Sequence, residues 1–277
     1  MRKDVVPVSL FTPTDREVIK NDLINLLTAI PEITAIILIG SGAAGYTDEL
    51  SDIDIMSEVS DEADIISVMD TVCAELKARY NILCFAQLIE RRLQVCLIDN
   101  YLELNFSYRT IETLEARAAC WQVLFDNVGN IDAIMHATYA KFEEANRINT
   151  DDIYQNKLVE YSEQIWHFIF HAAAAINRGR FWKAVKELDF VRNNIIELKG
   201  LRYDLSMSRH RDVDKIPQDE LALLQKTLPS LLTKEALADN LRHLITAAYD
   251  ELEINQPNPH ITVSRAQAVE YLTQALG

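Results

Sequence analysis

The amino-acid sequence predicts a mixed α/β sheet domain followed by an all-α helical bundle. In residues 1–128, apolar runs of strand length alternate with amphipathic stretches, whereas residues 129–277 are almost wholly of helical period. The chain of 277 residues is long enough for two domains and contains only seven glycines and seven prolines. So few residues of these two types favour long regular elements over a loop-rich β fold. We therefore expect a domain boundary near Val128.

The first domain is predicted to open with a helix whose apolar stripe includes Leu23, Leu26 and Leu27. Several apolar runs of strand length follow it, and Asp99-Asn100 is a hairpin signal between two of them. The predicted elements, in order, are helix 14–30, strands 33–39 and 52–57, helix 62–80, and strands 82–88, 94–98, 101–106 and 121–125.

The second domain is predicted to consist of helices. Apolar residues recur three and four positions apart through most of it, as in helices that bury one face. Gly179 and Gly200 stand where helix C-caps belong, because glycine adopts the left-handed conformation that often ends a helix. The predicted helices are 132–146, 153–177, 181–199, 218–228, 234–252 and a short one that begins at Thr262.

The strongest chemical signal is a small turn and two acids around the first two strands. Gly40-Ser41 follows an apolar strand, and a turn of such small residues lets backbone N–H groups approach a phosphate. Asp52 and Asp54 stand on the next strand, where alternation places both side chains on one face. Neighbouring carboxylates repel each other and should bind a divalent cation, for which Mg²⁺ is the best candidate. Together these features indicate nucleotide chemistry.

A third carboxylate is predicted on a later strand. Leu102, Leu104 and Phe106 share one face, which we expect to be core, so Glu103 lies on the opposite face with Asn105. A carboxylate between two core leucines on a central strand favours a catalytic role. Asp99 is the alternative, although its place in the hairpin turn suits a capping role better.

The pattern of a hydrophobic residue, Gly40-Ser41, a spacer and Asp52-Ile-Asp54 resembles the signature of the nucleotidyltransferase superfamily. Within it, the chain is similar to the antibiotic nucleotidyltransferases that modify aminoglycosides and lincosamides. The resemblance implies a nucleotidyltransferase-type sheet domain, with Gly40 and Ser41 at the triphosphate of ATP or another nucleotide. It also implies Mg²⁺ at Asp52, Asp54 and Glu103, with Glu103 either a metal ligand or the general base.

The resemblance further implies that the helical domain binds substrates. An Arg or Lys from that domain reaches the phosphates in related enzymes, and Arg192 is our preferred match. Glu160 and Glu163 are candidates to receive ammonium groups of an acceptor, and Trp166 is a candidate to stack on a sugar ring. We expect the active site in a cleft between the two domains.

The implied reaction transfers a nucleoside monophosphate, with AMP from ATP as the first expectation, to a hydroxyl of a small acceptor, releasing pyrophosphate. A net charge of −15 suits a cationic acceptor such as an aminoglycoside and argues against general nucleic-acid binding. Two alternatives remain open at this point: transfer to a protein or tRNA, as in toxin–antitoxin pairs, and a non-catalytic nucleotide-binding module. The presence of all three acids counts against the second alternative.

Targeting and partner signals are few. The sequence has no secretory apolar stretch at its start and no apolar run of membrane-spanning length. Its four cysteines lack metal-type pairing, which is typical of free thiols in a reducing compartment. We therefore expect a cytoplasmic protein with no membrane partner. A homodimer is compatible with the sequence, which also leaves open the base preference and the acceptor.

Overall fold

The structure is a computed structural model that describes residues 10–46, 48–147, 150–207, 210–254 and 257–276. By its internal contacts the chain divides into two units, Met1–Ala145 and Asn146–Gly277. The boundary expected near Val128 lies within the first unit, because the helix that follows Val128 packs on the sheet of that unit.

The described residues of the first unit form one mixed sheet of six strands: β1 (Ile33–Ile39), β2 (Ile53–Val59), β3 (Ile82–Leu88), β4 (Leu93–Ile98), β5 (Glu103–Arg109) and β6 (Gln122–Asp126). Their order in the sheet is β3-β4-β5-β2-β1-β6. β2 and β5 are parallel, and the other neighbouring pairs are antiparallel. This confirms the predicted mixed sheet.

Helices pack on both faces of this sheet. On one face, Ile36 and Leu38 of β1 share a core with α1 (Pro13–Thr28) and α3 (Ile65–Arg79). On the other face, Ala35 and Ile37 contact α4 (Ile131–Arg147) through Ile131 and Met135. α1 begins with a capping box in which Thr12 and Asp15 satisfy each other's backbone N–H groups. The alternation along β1 thus supplies two cores from one strand.

Two connections in this unit differ from the predicted ones. Gly40-Ser41 is the start of a one-turn helix, α2 (Gly40–Ala43), instead of a simple turn. The strand predicted from residue 101 begins at Glu103, because the Tyr101 N–H donates to the Ile98 carbonyl and Tyr101 has a φ of 66°. Tyr101 therefore belongs to the turn between β4 and β5.

The second unit is helical, as predicted, and its helices share one apolar core that includes Ile169, Leu188 and Leu241. Gly179 follows α5 (Thr150–Asn177) with a φ of 67°, as expected of a C-cap. Gly200 does not end a helix. A Cβ there would lie 2.2 Å from Cγ of Met207, so close packing explains this glycine. The helices are α5 (Thr150–Asn177), α6 (Phe181–Tyr203), α7 (Gln218–Lys226), α8 (Lys234–Leu252) and α9 (Arg265–Leu276). Among the described residues of both units, no helix is long and apolar enough to cross a membrane.

Candidate active site

The three predicted acids of the first unit converge on one amide group. In the parallel pair β2–β5, Asp54 stands opposite Asn105. The Asn105 Nδ2 atom lies within hydrogen-bond distance of Asp52 Oδ2 at 2.9 Å, Asp54 Oδ1 at 3.1 Å and Glu103 Oε1 at 3.2 Å. Its two N–H groups are therefore shared among three carboxylates. The structure therefore brings together carboxylates that are about fifty positions apart in the chain. We call these four side chains the carboxylate cluster.

Gly40 lies directly against this cluster. Its φ is 66°, a conformation that favours glycine, and a Cβ atom added there would lie 2.3 Å from Asp54 Oδ2. Two independent constraints thus require glycine at this position. The next residue, Ser41, has a buried Oγ atom for which the described residues supply no hydrogen-bond partner. A ligand beside Asp54 could accept the Ser41 hydrogen bond, because buried hydroxyls are rarely left unpaired.

The segment between Gly40 and Asp52 is held by a buried arginine that the sequence did not single out. Arg16 on α1 is only 4% exposed, and its Nη1 donates to the carbonyls of Asp48 at 3.2 Å and Ser51 at 3.0 Å. Its guanidinium also lies over the ring of Tyr46, 3.7 Å from the ring centroid. Arg16 therefore fixes the backbone that leads into Asp52.

Tyr46 reports the electrostatic character of this segment. Burial is the main cause that raises the pKa of Tyr46 to about 12, and Glu17, Asp54 and Asp52 add to the rise while Arg16 opposes it. The phenol consequently stays protonated at neutral pH. Its hydroxyl is buried and, like Ser41 Oγ, has no hydrogen-bond partner among the described residues.

The chemistry of the carboxylate cluster fits Mg²⁺. Carboxylate oxygens are the ligands that this ion prefers, and Mg²⁺ is commonly held by one or two carboxylates plus substrate phosphates and water. Asp52 and Asp54 meet that requirement, since both reach the same Asn105 amide. Across the described residues, no group of three His, Cys, Asp or Glu has the arrangement of a metal site. Glu103 as a third ligand therefore stays a prediction.

Arg192, our preferred match for the triphosphate, is bound within the second unit. It is 6% exposed, and its Nε and Nη2 donate to Thr227 Oγ1 at 2.8 Å and to the Thr227 carbonyl at 2.6 Å. Its Nη1 pairs with Asp189 one turn earlier on α6. These contacts give Arg192 a structural role, which the sequence did not indicate. They lend no support to a role in nucleotide binding.

The three predicted acceptor-binding residues lie on α5 of the second unit. Glu160 and Glu163 are exposed, and their carboxylates lie 3.7 Å from Lys157 Nζ and 3.5 Å from His260 Nδ1, respectively. Trp166 is half-buried, and its indole N–H donates to the Glu163 carbonyl at 2.7 Å. Their proposed contacts with an acceptor stay predictions.

Comparisons with known proteins give structural neighbours only. No protein-family model matches the chain, and no curated protein matches it. A solved aminoglycoside 6-adenyltransferase from Bacillus subtilis aligns over 92% of this chain and 96% of its own, with 10% identity and a TM-score of 0.41. A nucleotidyltransferase-like protein from Exiguobacterium sibiricum aligns over 94% and 87%, with 12% identity and a TM-score of 0.35. At this level of similarity they carry no argument about this chain.

Proposed function

We propose that this protein is a Mg²⁺-dependent nucleotidyltransferase. It transfers a nucleoside monophosphate, with AMP from ATP as the first expectation, to a hydroxyl of a small acceptor and releases pyrophosphate. The observation that carries the proposal is the carboxylate cluster: Asp52, Asp54 and Glu103 share one amide donor, and Gly40 lies against Asp54.

Each of these residues has its own role in the proposed reaction. The acceptor oxygen attacks the α-phosphorus, the bond from that phosphorus to the bridging oxygen breaks, and pyrophosphate leaves. Glu103, the most exposed of the three acids, would take the proton of the acceptor hydroxyl as general base. Bound at Asp52 and Asp54, Mg²⁺ would neutralise charge that develops on the phosphates. Gly40 leaves room for the triphosphate, and Ser41 Oγ offers it a hydrogen bond.

The acceptor class follows from charge. The chain carries a net charge of −15, and the cluster itself is acidic, so a cationic acceptor is attracted both from a distance and at the site. Aminoglycosides carry ammonium groups beside hydroxyls and meet both requirements. Lincosamides are the second class to test.

The experiment is a pyrophosphate-release assay with each nucleoside triphosphate and Mg²⁺, across a panel of aminoglycosides and lincosamides. We expect release that depends on an acceptor. In Asp54→Asn we expect release to fall by about 10³-fold or more, because transition-state charge loses a stabilisation of several kcal/mol. Asp70→Asn is the matched control, since it removes the same charge from an exposed position on α3 and should leave the rate unchanged.

The proposal fails if no acceptor-dependent release occurs, or if Asp54→Asn and Asp70→Asn behave alike. Release that depends on a protein or an RNA but on no small molecule would retain the chemistry and overturn the acceptor class.

A further inference from the structure

A cavity of about 360 Å³ opens on the same face of the sheet as the carboxylate cluster, within the first unit. Its floor includes Met56 of β2 and Ser107 of β5, which stand opposite each other in the strand register. They form the next pair on this face after Asp54 and Asn105. At about 3.3 Å per residue, the cavity therefore begins about 7 Å along the strands from the cluster.

Gly40 connects the cavity with the cluster. It lines the cavity, and it is also the residue whose missing side chain leaves space beside Asp54 Oδ2. A ligand with a phosphate beside Gly40 and Asp54 can therefore extend into the cavity, because Gly40 has no side chain to block it.

The walls of the cavity are mainly apolar and well fixed. Ile39, Met56, Ala116 and Met135 line it together with the indole of Trp121. The position of this indole is set from outside the cavity. Its N–H donates to Asp132 Oδ1 at 2.9 Å, and the ring of His136 packs edge-on at 4.7 Å between centroids. Apolar walls, one of them aromatic, suit a flat and largely apolar group.

Three charged groups line the same cavity, two of them cations. Arg117 pairs with Glu115, while Arg109 donates to the Tyr108 carbonyl at 2.7 Å. Within the part of the chain that the structure describes, Arg109 forms no ion pair. Two guanidinium groups against one carboxylate disfavour a cationic acceptor here. They can instead donate hydrogen bonds to the carbonyl and ring-nitrogen acceptors of a nucleobase.

We propose that this cavity binds the base and ribose of the nucleoside triphosphate, and that Arg109 is a specificity residue for the base. The inference rests on the proposed function for the identity of the ligand. A volume of 360 Å³ is within the range of small-molecule sites. The position beside Gly40 places a nucleoside next to the reacting phosphate.

The test uses the fluorescence of Trp121, which is the tryptophan of the first unit, in a Trp166→Phe/Trp182→Phe background. The probes are adenosine, guanosine, cytidine and uridine, which carry no phosphate and need no Mg²⁺. We expect saturable fluorescence changes with at least one of them. Calorimetry on the chain with all three tryptophans checks that the background substitutions have not altered binding.

Two neighbouring alanines give a matched pair of variants. Ala118 and Ala119 are both exposed, but only Ala118 lines the cavity. Ala118→Phe should weaken nucleoside binding by about tenfold or more because the ring occupies the site, whereas Ala119→Phe should bind within about twofold of the parent. Arg109→Gln should change the ranking of the four nucleosides.

The inference is overturned if nucleoside or nucleotide binding is equal in the two alanine variants, or if an aminoglycoside is the compound that Ala118→Phe excludes. Its failure is distinguishable from failure of the proposed function. Undiminished pyrophosphate release in Ala118→Phe would refute only the nucleoside site in the cavity. Nucleoside binding without any pyrophosphate release would refute only the proposed reaction.

Discussion

Each unit of this protein gathers carboxylates, but the two groups are compensated in different ways. In the second unit, Glu251 is fully buried and accepts hydrogen bonds from Lys199 Nζ at 3.0 Å and Arg202 Nη2 at 2.8 Å. The same two cations also pair with Glu220. In the first unit, the donor that Asp52, Asp54 and Glu103 share is the neutral amide of Asn105.

This difference separates a structural cluster from a candidate functional one. Two acids and two cations in the second unit neutralise each other within the fold, so the cluster needs nothing from solution. Among the described residues, no lysine or arginine forms an ion pair with Asp52 or Glu103. A neutral amide cannot balance several negative charges, and a cation from solution can. Asp52 and Glu103 are gathered without a cation among the described residues, which supports the proposed binding site.

The largest expected effect is on the stability of the second unit. Glu251→Gln leaves the buried Lys199 and the half-buried Arg202 with one carboxylate fewer. It also brings the amide N–H groups of glutamine close to the N–H donors of these two cations. We expect the free energy of unfolding of this unit to fall by about 3–5 kcal/mol. Denaturant titration of the Trp121→Phe variant measures it, because the remaining tryptophans, Trp166 and Trp182, lie in the second unit.

Glu253→Gln is the control for that substitution. The Glu253 side chain is 29% exposed and pairs with Arg265 at 2.7 Å. Glu253→Gln should therefore lower the free energy of unfolding by less than about 1 kcal/mol. Equal losses in the two variants would show that the buried cluster contributes no more than a surface pair, and the contrast between the units would lose its basis.

The next effect is a pH dependence of the paired cluster in the second unit. Burial raises the pKa of Glu220, but hydrogen bonds from Lys199, Tyr203 and Arg202 outweigh it and lower that pKa to about 2. A pKa lowered by folding gives stability that is present above the unfolded value and is lost as the pH falls. Between about pH 5 and pH 2 the second unit should lose about 1–2 kcal/mol from this group, allowing for its partial exposure.

Unfolding of the wild type and of Glu220→Gln at several pH values measures this contribution. The variant should show a shallower loss of stability below pH 5, whereas Glu270→Gln, at an exposed position on α9, should follow the wild type. Parallel curves for wild type and Glu220→Gln would mean that the ion pairs of Glu220 do not stabilise the folded unit.

Most of the fold could be predicted from local pattern. β1 and β3 have the predicted bounds, because their apolar runs are bounded clearly in the sequence. Errors arose where a tertiary contact decides the local structure. Gly200 is of a residue type that often ends a helix, yet it lies inside α6. Glycine is needed there because a Cβ atom would clash with Met207. Tyr101 has strand propensity, yet the hairpin turn places it at positive φ.

The acids of the candidate site could be predicted from the sequence, whereas the contacts that hold them in place could not. Strand alternation places Asp52 with Asp54 and Glu103 with Asn105, but only the parallel register of β2 and β5 brings the two pairs together. Arg16 gives no local signal, since its partners are backbone carbonyls of Asp48 and Ser51 more than thirty positions away. Contacts at such separation depend on the assembled sheet, which periodicity does not specify.

The smallest expected effect tests the carboxylate cluster directly. Asp52→Asn is isosteric, keeps an oxygen that can accept from Asn105, and removes one of several like charges. With a chelator present, the free energy of unfolding of the first unit should stay unchanged or rise by up to about 1 kcal/mol. Glu251→Gln, by contrast, is expected to lower the free energy of unfolding of its unit. Trp121 fluorescence in the Trp166→Phe/Trp182→Phe background reports it.

Added Mg²⁺ should then make the parent protein more stable to unfolding than Asp52→Asn. A ligand that binds only the folded state stabilises it in proportion to the logarithm of its concentration over the dissociation constant. The parent with Asp52 should therefore gain stability as Mg²⁺ is raised, and Asp52→Asn should gain less. If Asp52→Asn is destabilised in the chelator by as much as Glu251→Gln, Asp52 is structural. The acids of the first unit would then be no more a binding site than those of the second.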